Sequence, residues 1–480
     1  MNSCLPILVL TWLPSLAGLT GAAAVRVHPA PAGEPLSGDF TVQVDGVPLP
    51  VYVAKVAPAE PERRWQAMDD KARSADYFET ASFASFDMAE PASVLVAATE
   101  PIRSARVLPS SLKLTPVIQD GRLRLTLPEP KPVTIEINGT WRKALHLFAN
   151  PPETDAPRPD DPGVVYFGPG IHEITHLTLT NNQTVYVAGG AVVRGVIGPD
   201  EPFHISGYSG LRNYTPTFEL RGTNITFRGR GIVDGSRSPT HARNLLLVRG
   251  RDIRIEGVTL RDSSVWTIPI RQSDRVHVQN VKLIGYRANA DGIDICNSRD
   301  VTVEDCFIRT LDDLIVVKTD AGQGAARRIL ARRCVLWNEV AHALSVGAEL
   351  REDVEDVRFT DCDVIHDFGR EWTLRVYHSD SARIRNLVFD NLRIEESPRL
   401  ISLWIGRAIW SRDAERGHIE DVTFRDIRAT ADPLRIALQG FDAEHRIQNV
   451  RFENVVVNDR PLTDADVNRN AFVDGLRIEP

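Results

Sequence analysis

Cysteine is scarce in this chain of 480 residues: there are five, and none forms a CxxC pair, which excludes the usual cysteine zinc sites. A basic surplus is also missing. The formal net charge is −8, whereas binding phosphates draws on a basic surface, so nucleic acid is not an expected partner. A local basic groove for a sugar is still compatible with that balance. Low-complexity tracts and long runs of like charge are absent, leaving the composition of a folded, soluble protein. Beyond the first residues no apolar stretch is long enough to span a bilayer, so no membrane span is expected.

The apolar run that does exist is at the start, from Leu5 to Leu19, followed by Gly21-Ala22-Ala23-Ala24. It reads as a secretory signal with an A-x-A cleavage site, although its first residues carry no Lys or Arg. Pro6 and Pro14 interrupt the run and argue against a membrane anchor. Residues 1–24 are thus expected to be removed, and the protein to be secreted or periplasmic.

Residues 25–150 read as a separate N-terminal β-sandwich. Phe40–Val44, Ser93–Val96, Leu123–Leu127 and Val133–Ile137 alternate or cluster β-formers between turn residues. The charged stretch Glu60 to Tyr77 suits a short helix or a long loop. No catalytic constellation falls in this module. Its expected role is to pack against the main domain, with sugar binding as the alternative. Residues 151–162 form a linker rich in proline and aspartate.

From residue 163 to 480 a repeat decides the fold. Its unit is apolar-x-apolar-x-turn-apolar, as in Ile253–Val258, Val276–Val281, Val301–Cys306, Ile329–Cys334, Val357–Cys362, Leu387–Leu392, Val422–Ile427 and Val450–Val455. The sixth residues are 23, 25, 28, 28, 30, 35 and 28 positions apart, a spacing that with β alternation predicts a right-handed parallel β-helix. Residues one, three and six should face the core, and the fifth (mostly Gly, Asn or Asp) should take a left-handed bend. Cys306, Cys334 and Cys362 share one place in consecutive coils, so they are expected to form a buried ladder rather than disulfides.

The same stacking should gather acidic side chains. Asp291, Asp312 and His342 follow the same bend in successive coils, with adjacent-coil carboxylates expected within roughly 5–10 Å, the range glycosidases use. Asp313 can join Asp312 at one site only if the chain bends there. Crowded carboxylates raise one another's pKa, so one can stay protonated as general acid while others activate water. Calcium binding is the competing use of such a trio.

These residues resemble the family-28 glycoside hydrolases, the polygalacturonase family, and more distantly the family-49 dextranases. Asn289-Ala290-Asp291-Gly292 resembles the family's N-T-D motif, Leu311-Asp312-Asp313-Leu314 its G-D-D-C, and Ala341-His342-Ala343 its G-H-G. Leu374-Arg375-Val376-Tyr377 stands where the family has R-I-K. The resemblance covers residues 163–460 and implies Asp312 as general acid, with Asp291 and Asp313 holding and deprotonating water so that the anomeric carbon inverts. His342 would keep the acid's protonation and geometry in order, a histidine satisfied in the core being the bland alternative. Asn289, Lys318, Arg375, Tyr377 and Trp266 are the expected substrate-binding residues, with Trp372, Trp404 and Trp410 as further stacking candidates. Tyr377 lacks the charge of the family's lysine, which moves the expected substrate from pectate towards a neutral or differently charged polysaccharide or oligosaccharide. Neither metal nor cofactor is expected, and nothing in the sequence assigns an oligomeric state. The rivals are a polysaccharide lyase on the same fold, disfavoured by sparse lysines, and a non-catalytic glycan-binding β-helix.

Overall fold

Why the repeat winds into a solenoid is visible in its backbone. In the computed structural model, which describes residues 25–480, the fifth residue of every unit is left-handed: Gly257 (φ 81°), Asn280 (53°), Asp305 (55°), Arg333 (53°), Asp361 (57°), Asn391 (49°), Asp426 (52°) and Asn454 (51°). The residue before each unit, from Asp252 (56°) and Arg275 (54°) to Asn449 (57°), is left-handed as well. Each short strand is therefore bracketed by two sharp bends of the kind Asn, Asp and Gly tolerate. The proposed signal, residues 1–24, lies outside the described residues.

One coil runs through the strands Asp274–Gln279, Lys282–Ile284 and Ile293–Cys296, and the next through Arg299–Glu304, Phe307–Thr310 and Ile315–Thr319. Equivalent strands pair in parallel, with Val276 opposite Val301, Leu283 opposite Ile308 and Ile293 opposite Ile315. The result is a right-handed parallel β-helix with three strand ladders. Residues one, three and six of all eight units lie in one continuous buried core, as the alternation requires. Phe359, Phe389, Phe424 and Phe452 stack along it with ring centroids 5.1, 4.8 and 5.0 Å apart. Cys306, Cys334 and Cys362 are buried and unbridged in the same core.

The N-terminal residues form a β-sandwich. A sheet containing Tyr52–Val56, Glu79–Met88, Thr140–Asn150 and Pro132–Ile137 faces one containing Phe40–Val44, Ala92–Ala98 and Arg122–Leu127. The outer face of the first sheet packs on the middle ladder of the solenoid, where Tyr52, Phe83 and Phe148 meet Ile284, Phe307, Val335 and Trp337. Within the charged stretch, Pro61–Asp69 forms helix α1, with a 3-10 turn at Ser74–Asp76. No helix among the described residues is long and apolar enough to cross a membrane.

Candidate active site

The bend between the middle ladder and the third ladder positions the acidic residues. Ile293, Ile315 and Leu344 are register partners in consecutive coils, so Asp291, Asp313 and His342, each two residues earlier, stack in one column. Backbone bonds extend the ladder to them: Gly292 N–H donates to the Asp313 carbonyl at 2.8 Å and Leu314 N–H to the His342 carbonyl at 2.9 Å. A Cβ at Gly292 would lie 2.3 Å from the Leu314 carbonyl oxygen, so glycine is what lets these coils approach. Asp312 is offset by one residue. The chain bends there, and the Asp313 N–H turns back to donate to Asp312 Oδ1 at 3.0 Å, so both side chains reach the same place.

One oxygen from each of Asp291, Asp312 and Asp313 lies within 4.8 Å of the others, closer than the coil spacing alone suggested. A buried ammonium stands beside two of them. Lys318 Nζ stands 3.0 Å from Asp294, 3.2 Å from Asp291 and 3.8 Å from Asp313, drawing the carboxylates together. A cation bound by this trio would be repelled by Lys318. Burial raises all four aspartates above the ordinary carboxylate range, Asp291 and Asp313 most, while Lys318 pulls each back down. Lys318 itself is held well above the usual lysine value: burial opposes its charge, but Asp294 and Asp291 outweigh that. Burial, with Arg375 and Lys318 nearby, keeps His342 well below its ordinary value and therefore neutral. Its Nδ1 is buried without a hydrogen-bond partner.

These groups open into a cleft of about 1160 Å³. Asn289, Asp291, Asp312, Asp313, Lys318, His342, Tyr377, Trp266 and Trp410 all line it. Asn289 is left-handed (φ 56°) and its amide donates to Asp312 Oδ2 at 3.4 Å. Trp266 lies 4.1 Å from Lys318 Nζ, and Tyr377 packs edge-on to Trp404 at 5.0 Å. Arg375 is placed differently from the others. It is buried, its guanidinium lies 4.2 Å from the Tyr377 ring and 3.8 Å from Glu371, and it does not line the cleft; nor do Trp372 and Trp404. Sequence reasoning missed Asp294, whose signal was a charged residue inside the buried strand Ile293–Cys296. It also missed Tyr208, Glu349 and the N-terminal residues Met68, Asp69 and Lys71 in the wall, for which the repeat offered no signal.

A parallel β-helix with carboxyls clustered in an open cleft defines a class, the solenoids arranged as glycoside hydrolases are. Residues 231–470 match the profile of glycosyl hydrolases family 28, and the chain belongs to that family. Among curated relatives, a polygalacturonase of Juniperus ashei is 24% identical over 241 residues, covering 48% of this chain and 45% of the relative. A probable polygalacturonase of Vitis vinifera is 25% identical over 156 residues, covering 30% of this chain and 32% of the relative. The chain thus spans about half or less of the length of these relatives. Dex49A from Penicillium minioluteum shares the fold over 94% of this chain and 96% of its own, at TM-score 0.55 and 14% identity. An exopolygalacturonase from Thermotoga maritima covers 66% of this chain and 84% of its own, at TM-score 0.50 and 16% identity.

Proposed function

We propose that the protein hydrolyses glycosidic bonds of a polysaccharide or oligosaccharide, with Asp312 as general acid and Asp291 and Asp313 as the groups that hold and deprotonate water. The observation that carries this reading is a cluster of four buried or half-buried carboxyls at a sugar-sized cleft, three of them (Asp291, Asp294 and Asp313) within 4.0 Å of the ammonium of Lys318 and Asp312 within 4.8 Å of Asp291 and Asp313. Burial and mutual repulsion raise all four carboxyls above the ordinary range despite Lys318, which favours keeping one of them protonated as the acid that donates. Asp312 is the most exposed of the three that line the cleft, which favours it as the group facing the glycosidic oxygen.

In the step we propose, the Asp312 proton passes to the leaving oxygen as its bond to the anomeric carbon breaks. A water oxygen bonds to that carbon from the other side and gives its proton to Asp291 or Asp313, and exchange with solvent restores the starting state. Neutral His342 and Asn289 hold the acid's geometry, Trp266 and Tyr377 offer ring faces to the sugar, and Arg375 supports Tyr377 from behind. Single displacement with inversion is our reading. Retention has one observation in its favour: the oxygens are within 4.8 Å, whereas inverting carboxyl pairs usually keep roughly 6.5–9.5 Å.

The test is release of reducing ends from polygalacturonate and from neutral polysaccharides, with Asp312→Asn as control. We expect the variant to lose about 10²–10⁴-fold in turnover. Activity surviving at the original level would sink the assignment. Proton NMR of the first anomer released separates inversion from retention, and ultraviolet absorbance of the products would reveal a lyase. Export through removal of residues 1–24 belongs to the same reading, and N-terminal sequencing of the exported protein tests it.

A further inference from the structure

A cation reaches the cleft from outside the β-helix. Lys71 follows helix α1 of the N-terminal sandwich and lines the cleft with the catalytic carboxyls. Its ammonium lies 3.4 Å from the centre of the Tyr208 ring, another wall residue. Among the other cations of the wall, Arg271 pairs with Asp320, Arg370 with Asp69 and Lys318 with the aspartates, while Arg407 and Arg412 donate to the backbone carbonyls of Ala414 and Ile409. Among the described residues no carboxylate comes within 4.0 Å of Lys71. Burial lowers its pKa, and Asp312 is the carboxylate that does most to offset this, which puts Lys71 within the field of the acid.

The segment that carries it is anchored on both flanks of the catalytic stretch. Ala67 packs against Leu311, the neighbour of Asp312. Ser74 Oγ accepts the Ala288 N–H at 2.6 Å, next to Asn289. Arg370 donates to both oxygens of Asp69 at 2.9 and 2.6 Å. An ammonium held on an aromatic face, half-buried and without a counter-ion, is left to bond an anion from the substrate.

We propose that Lys71 is a substrate-binding residue whose ammonium holds a uronate carboxylate of the sugar chain beside Asp312, so that the N-terminal sandwich completes the substrate cleft. This rests on the cleft being a glycan site, and it does not depend on which bond is cleaved. A neutral sugar would leave the ammonium unpaired. The sandwich therefore supplies specificity to the solenoid as well as packing.

Binding is measured on the full chain carrying Asp313→Asn, which stops turnover while keeping Asp312 beside Lys71. Calorimetric titration compares trigalacturonate, triglucuronate and trimannuronate with maltotriose of the same length. Adding Lys71→Met should weaken the best uronate trimer about 10–100-fold, and Lys71→Arg should restore most of the affinity. Maltotriose binding should be the same in all three proteins, and melting temperatures should match. Equal uronate binding with and without Lys71→Met, or no uronate trimer bound by the Asp313→Asn protein, overturns the proposal. If uronate binding depends on Lys71 but the wild type releases no reducing ends, the hydrolase reading fails and the Lys71 contact stands. Cleavage of a neutral polymer without uronate binding does the reverse: hydrolysis stands and the Lys71 contact fails.

Discussion

The aspartates sit where burial and mutual repulsion oppose their charge, and that has a thermodynamic consequence residue by residue. Asp313 has a folded-state pKa raised well above the ordinary value, chiefly by burial. Between its unfolded value of about 3.9 and its folded value, the native state binds more protons than the unfolded chain. Stability is therefore lost as pH rises through that window, and the full penalty persists above it. Asparagine has no such penalty, while Lys318 keeps Asp291 and Asp294 as partners. We expect Asp313→Asn to match the wild type in stability at acid pH and to exceed it by on the order of 1–3 kcal/mol at neutral pH, while losing turnover. Urea unfolding across a pH series checks this. A variant less stable at neutral pH than at pH 4, relative to wild type, would show that the carboxylate is favourably held after all.

At the scale of the element, stability comes from columns of like residues repeated coil after coil. Phe389 lies between Phe359 and Phe424 with its side chain fully buried. Phe389→Ala opens a cavity that neighbouring coils, pinned by their parallel ladders, cannot close, and should cost about 3–5 kcal/mol in chemical denaturation. A loss below about 1 kcal/mol would mean that the stack is loosely packed. This level of structure was legible because it is periodic: the core positions, the left-handed fifth residues and the cysteine ladder all follow from the repeat. Registration also led to the expectation of Asp291, Asp312 and His342 on one face, but the residue in register with Asp291 and His342 is Asp313, and Asp312 reaches the same place because the chain bends there. Asp294 was harder to read, because a charged residue in a strand core looks like an error until Lys318, facing Cys296 one coil on, supplies its counter-charge. Arg375 is the register partner of Ser345, three residues past the column position of His342, and it packs behind Tyr377 instead of lining the cleft.

At the scale of the whole molecule, contacts between sandwich and solenoid have no period, so nothing in the repeat announced them. Packing was the role expected of the N-terminal module, and the packing is extensive: the middle ladder presents Ile284, Phe307, Val335, Trp337 and Ile365 to it. Charge crosses the same boundary. Glu339 is fully buried between Arg309 at 2.8 Å and Arg64 of helix α1 at 3.5 Å, and Arg230 of the solenoid pairs with Asp87 at 2.7 Å. Removing the sandwich would expose that apolar face and strip a partner from each buried ion, which costs several kcal/mol per uncompensated charge. It would also remove Ala67 from Leu311 and Ser74 from Ala288, the two braces beside Asp312 and Asn289. A chain beginning at Gly163 should therefore be aggregated or, where recovered, melt well below the full protein and turn over less than about 1% as fast, a loss of some 3 kcal/mol at the transition state. Sedimentation, thermal unfolding followed by circular dichroism, and reducing-end release measure the three outcomes. A monomeric, fully active solenoid would show that the sandwich is an appendage and that the catalytic bend holds its shape alone.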